Sequence, residues 1–150
     1  MNISLRMRGF TLIEALIAMV VMSVGMLGIA GLYLQTLQAG RTSHFRTQAV
    51  TLAGDVADRI RANRTAGVTY TGAGADNNCD TGLIDCDADQ MAQHDIFLWL
   101  EQAQRTLPDG DVQVVLDQAT VPWTYTVTVG WDEAGQTTPP SYTIQVQAMN

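Results

Sequence analysis

From Phe10 to Leu34 the sequence is apolar for 25 residues, and Glu14 is the one charge among them. At ~1.5 Å per residue a helix of that length reaches about 37 Å, more than the ~30 Å hydrocarbon core of a bilayer. Beyond it Phe45, Ala49, Leu52, Val56 and Ile60 recur at helical spacing, while Arg46, Asp55, Arg59 and Arg61 fall mostly on other faces. No proline precedes Pro108, so nothing forces a break, and the spacing predicts one helix from about Phe10 to about Asn63. Thr65 to Asp89, rich in Gly, Thr, Asn and Asp, reads as an irregular connection. A second helix is predicted over about Ala88–Thr106, its buried stripe Ala92, Ile96, Trp99, Leu100, Ala103 and Leu107, ended by Pro108-Asp109-Gly110.

Strict alternation follows. Val112, Val114 and Leu116 share a face; so do Trp123, Tyr125, Val127, Val129 and Trp131; so do Tyr142, Ile144, Val146 and Ala148. Thr and Gln take the other side, the pattern of an antiparallel sheet with one face on a core and one in water. The N-terminal helix is the natural cover for that core. The predicted class is therefore α+β: a long N-terminal helix, apolar stem then amphipathic half, packed on an antiparallel sheet of three to four strands, with a second short helix.

Glu14 changes the meaning of the apolar run. A carboxylate at mid-bilayer costs roughly 2.5–3.5 kcal/mol on insertion scales, so it needs a partner or a function. A secretory signal peptide cleaved near Gly28-Ile29-Ala30 and a plain single-pass anchor both account for the length, and the carboxylate is awkward for both. Arg6 and Arg8 mark the upstream flank as cytoplasmic. Gly25, Gly28 and Gly31 open a small-residue stripe where another helix could come close.

Arg8-Gly9-Phe10-Thr11-Leu12-Ile13-Glu14 resembles the leader junction of type IV pilins and pseudopilins. The resemblance implies cleavage between Gly9 and Phe10 by a prepilin peptidase, N-methylation of Phe10, and retention of the apolar helix. It divides the chain into a removed leader (1–9), a transmembrane and filament-core helix (10–34), the amphipathic half of that helix (35–64) and a globular head (65–150). Glu14 would then pair with the freed amine of a neighbouring subunit during assembly. Two charges ~4 Å apart attract by about 4 kcal/mol at an effective dielectric near 20, enough to offset the insertion cost when subunits are correctly staggered.

His94-Asp95 with Trp99, Leu107-Pro108-Asp109-Gly110 and Thr128-Val129-Gly130-Trp131-Asp132 are similar to the PilV branch of minor pilins, the type IV pilus modification proteins. That resemblance implies a minor pilin priming and entering type IV pili, in a tip complex. The partners implied are other minor and major pilins, the prepilin peptidase, the inner-membrane assembly platform and a tip adhesin. The location implied is the bacterial inner membrane, head in the periplasm, then the extracellular pilus. A minor pseudopilin of a type II secretion system shares the same leader, and a membrane-tethered domain binding a cation or other ligand is a third reading.

Charge narrows these choices. All eight basic residues are arginine, and residues 65–150 hold one of them against twelve acids, a net of −11. So acidic a head lacks the clustered Lys or Arg that phosphate backbones require, and nucleic acid is not its expected ligand. Cys79 and Cys86 close a short segment and, in an exported domain, are expected to form a disulfide; a zinc half-site would need further ligands, and only His44 and His94 exist. Asp85, Asp87 and Asp89 alternate like a calcium loop, but Gln90 stands where glycine is required and Ile96 where the last glutamate belongs. Asp87 and Asp89 instead suit the positive end of the following helix.

No catalytic arrangement emerges. The four serines lie outside any nucleophile-elbow pattern, and Gly72-Ala73-Gly74 lacks the third glycine and preceding strand of a phosphate loop. His44 and His94 are expected to be satisfied surface or packing residues. The tryptophans and tyrosines sit on predicted core faces and read as core, not as a sugar platform. The expectation is a structural protein with neither enzyme activity nor cofactor nor metal.

Overall fold

The computed structural model describes residues 9–119 and 121–148. Arg6, Arg8 and the rest of the leader before Gly9 lie outside them. In chain order the elements are α1 (Leu12–Ala62), a 3-10 helix (Arg64–Thr71), α2 (Ala88–Thr106), β1 (Asp111–Asp117), β2 (Thr124–Gly130) and β3 (Ser141–Gln147). The chain forms two compact units, the stem up to Arg41 and the head from Thr42. The predicted α+β architecture, with three antiparallel strands, is the observed one.

In the head, α1 buries Ala49, Leu52, Ala53, Val56, Ala57 and Ile60, steps of three and one that keep one face of a 3.6-residue helix turned inward. Three of these are alanines at intervals of four. Small side chains in that row leave the core volume to Trp99, Val127, Val129 and Val146, all essentially inaccessible to solvent.

The sheet order is β1-β2-β3. Asp111 pairs with Gly130 and Asp117 with Thr124 across the first ladder; Thr124 pairs with Gln147 and Gly130 with Ser141 across the second. This register lines up Val114, Val127 and Ile144 in one row and Val112, Val129 and Tyr142 in the next. Burial alternates along all three strands, as the pattern predicts.

Asp87 opens α2 as a capping box. Its carboxylate accepts the Gln90 backbone N–H at 2.8 Å, and the Gln90 side chain accepts the Asp87 N–H at 3.1 Å. Gln90, which spoils the calcium pattern, thus has a structural task. At the other end Gly110 is obligatory: a Cβ there would lie 2.3 Å from the Ala103 carbonyl oxygen. The turn is tied to the sheet by the Asp132 N–H, which donates to the Pro108 carbonyl at 2.8 Å.

Two expectations need correction. Thr65–Asp89 is not irregular throughout, since its first part is the 3-10 helix with Ala66 and Tyr70 buried. Its Thr and Gly content hides that turn, and Gly67, at φ 50°, supplies the kink within it. On α2 Leu100 is solvent-exposed (38%), and the inward face includes His94 and Asp95. Asp95 takes a core position because its charge is met there.

Stem surface and head cluster as the candidate functional site

The stem helix begins at Thr11, whose carbonyl accepts the N–H groups of Glu14 at 3.1 Å and Ala15 at 3.3 Å. From there no side chain is buried before Ala49. Phe10, Leu12 and Leu27 are 79%, 80% and 74% exposed, and the stem is long and apolar enough to cross a membrane. An apolar surface this long cannot remain in water. Between Leu12 and Leu32 only Glu14 and Ser23 are polar, and the Ser23 hydroxyl donates to the Met19 carbonyl at 2.7 Å. Glu14 alone has nothing to satisfy it among the described residues of its own chain. At 100° per residue Gly25 falls on the Glu14 side of the helix. A Cβ at Gly25 or Gly28 would touch nothing within 4 Å, so packing inside the chain does not demand these glycines.

Inside the head a second polar arrangement joins three elements. Arg59 on α1 donates from Nη1 to Asp95 Oδ1 at 2.7 Å and from Nε to Asp55 Oδ2 at 3.1 Å. Tyr70 on the 3-10 helix donates its hydroxyl to Asp95 Oδ2 at 3.0 Å. Both carboxylate oxygens of the buried Asp95 are therefore met. Burial works against the Arg59 charge, but the hydrogen bond to Asp95 and the charges of Asp55 and Asp95 outweigh it and hold the guanidinium above its ordinary value. Burial pushes the Tyr70 hydroxyl well above its ordinary 10.0, and the Asp95 charge adds to this, so the phenol keeps the proton it donates. Tyr70 also stacks on Trp99 with ring centroids 5.6 Å apart. The spacing Ala92, Asp95, Trp99, Ala103 could have revealed the site, since a carboxylate at a core position of a helix demands a cation.

The other sequence candidates are scattered. Cys79 and Cys86 form a disulfide, with Cα atoms 5.8 Å apart. It closes a short loop, so Cys79→Ser is expected to lower head stability by about 2 kcal/mol in a denaturant titration. His44 is exposed on α1 beside Phe45. His94 is buried, with Nδ1 3.3 Å from Asp76 and Nε2 3.4 Å from Asp80. Among the described residues no group of three or more His, Cys, Asp or Glu side chains is arranged to hold a metal. Gly74 serves packing: a Cβ there would lie 2.6 Å from the Phe97 backbone nitrogen, and next to it the Ala75 N–H donates to the Gln93 carbonyl at 3.0 Å.

The junction and stem match the family model described as the prokaryotic N-terminal methylation motif, over residues 5–30, and residues 31–97 match Tt1218-like, type IV pilin Tt1218. The chain belongs to the type IV pilin-like family. No curated protein and no solved structure matches it. As a pilin it has a structural role, and the methylation motif implies processing by a prepilin peptidase and association with other pilins. The apolar helix fits anchoring in the inner membrane followed by incorporation into a pilus.

Proposed function

We propose that this pilin is a minor subunit, held in the inner membrane with its head in the periplasm and then built into a type IV pilus. Its resemblance to the PilV branch supports a place in a priming or tip complex with other minor pilins and a tip adhesin. The observation that carries the reading is Glu14, which meets no partner among the described residues and stands on the exposed apolar stem four residues past the Gly9–Phe10 junction.

Assembly on this reading is helix-to-helix packing. Lipid contacts are exchanged for contacts with neighbouring stems, which cost no hydrophobic burial and gain close packing wherever small residues permit it. The freed amine of Phe10 on one subunit meets Glu14 of the next, so the pairing is complete at one stagger only. The head carries no reaction; it selects neighbours.

Mass spectrometry of the mature protein tests this directly. The expected amino terminus is N-methylated Phe10, with the protein recovered from sheared pili at a small fraction of the major subunit. A terminus at Gly31 would overturn the reading, because the stem and Glu14 would both be gone.

A further inference from the structure

The solvent face of the sheet differs from the rest of the head. Residues 65–150 carry twelve acids, yet the outward positions of β2 and β3 hold none: Thr124, Thr126 and Thr128 stand beside Thr143, Gln145 and Gln147. At the end of this face near the close of α1, an open depression of about 460 Å³ is lined by Arg61, Thr124, Gln145 and Gln147. A narrow cleft of about 60 Å³ adjoins it through Arg61 and Gln147 and adds Arg64, Trp123 and Tyr125.

Trp123 departs from the other two tryptophans. Trp99 and Trp131 are buried, whereas Trp123, in the same alternation as Tyr125, is only partly covered and lines the cleft. The backbone around it is tied down. The Tyr125 hydroxyl donates to the Gly67 carbonyl at 2.9 Å, and the Ala148 N–H donates to the Trp123 carbonyl at 2.7 Å. Walls held in place beforehand lose little freedom on binding. Arg61 is paired with Asp58 at 2.9 Å; Arg64 contacts only the Arg61 carbonyl, at 3.4 Å, and has no carboxylate partner among the described residues. Two guanidinium groups against one carboxylate leave a positive charge over.

Three kinds of group thus meet in one recess. An indole offers a flat apolar surface to the C–H face of a pyranose ring. Amides and hydroxyls both give and accept hydrogen bonds, as sugar hydroxyls require. A guanidinium takes a carboxylate through a bidentate pair. We propose that this recess binds a carboxylate-bearing sugar, a uronic or sialic acid unit of a glycan. Trp123 lies under the ring, Thr124, Gln145 and Gln147 meet its hydroxyls, and Arg64 takes the carboxylate. The net −11 of residues 65–150 does not forbid an acidic ligand: charges beyond about 8 Å are largely screened at physiological ionic strength, and the arginines are in contact. The site goes beyond the minor-pilin reading and stands without it.

Isothermal titration calorimetry on the full-length chain in detergent micelles tests the site, with trigalacturonate and sialyllactose as acidic probes and methyl-esterified trigalacturonate as the neutral counterpart. At least one acidic probe is expected to bind, at least tenfold more tightly than the ester, and to weaken as salt is raised. Trp123→Ala should weaken binding at least tenfold. Arg64→Gln should weaken the acidic probe at least fivefold and leave the ester unchanged, and Gln145→Ala should weaken both. Arg64 and Gln145 are exposed, so these two variants keep the test independent of folding. Binding of neither acidic probe, equal binding of acid and ester, or binding untouched by Arg64→Gln and Gln145→Ala would overturn the proposal. If those two variants instead lowered recovery in pili while the unaltered chain bound no sugar, the recess would be a contact between subunits.

Discussion

Asp95→Ala is expected to destabilise the head by about 2–3 kcal/mol in chemical denaturation, the largest effect of any single side chain in its polar network. Removing one member of a buried ion pair costs about 3–5 kcal/mol when the remaining charge is stranded. Arg59 is not fully stranded, because its side chain is 42% exposed and keeps Asp55 at 3.1 Å. That places the loss below the buried-pair range. The Tyr70 hydroxyl also loses its shorter bond, to Asp95 at 3.0 Å, and keeps only the long one to the Arg59 carbonyl at 3.4 Å; a net hydrogen bond is worth about 0.5–1.5 kcal/mol. Asp95→Asn, which keeps an acceptor for Tyr70 while removing the charge, should fall between wild type and Asp95→Ala. Equal stability of all three proteins would show that the network contributes nothing.

Glu14→Ala is expected to insert into the membrane at least as well as wild type and to be recovered in pili at least tenfold less. Insertion does not suffer, because a carboxylate leaves the apolar run; the mid-bilayer cost of roughly 2.5–3.5 kcal/mol is an upper limit for a residue in the first turn of the helix. Incorporation suffers because the amine of the neighbouring subunit then enters the apolar filament core without its counter-charge, forfeiting an attraction of about 4 kcal/mol. Fractionation into membrane and sheared-pilus pools, probed by immunoblot, separates the two steps. Glu14→Gln is the informative companion: it preserves shape and polarity, so a defect as deep as that of alanine isolates charge as the cause. Undiminished recovery of Glu14→Ala in pili would eliminate charge pairing as the determinant of stagger.

The regular elements were legible because each rests on local periodicity. The sheet faces followed from alternation at Val112–Leu116, Tyr125–Trp131 and Tyr142–Ala148, and the span of α1 from the absence of proline and the spacing of Ala49 to Ile60. What escaped depends on distant partners. The 3-10 turn at Arg64–Thr71 has no apolar period; it is held by burying Tyr70, whose hydroxyl partner lies 25 residues later in the chain. Leu100 looked like core because leucine is apolar, whereas Asp95 looked like surface because aspartate is charged. Arg59, 36 residues earlier, reverses that ranking. Glu14 stood out in the sequence because nothing nearby could neutralise it.

Both β1 and β3 lie at the rim of the three-stranded sheet, and each has a deterrent against foreign strands. Asp111 and Asp117 bracket β1 with negative charge, and Pro139-Pro140 precede β3 without an amide hydrogen between them. Heads that come together are thereby hindered from exchanging backbone pairs. Each head therefore keeps its own three-stranded sheet when it meets another.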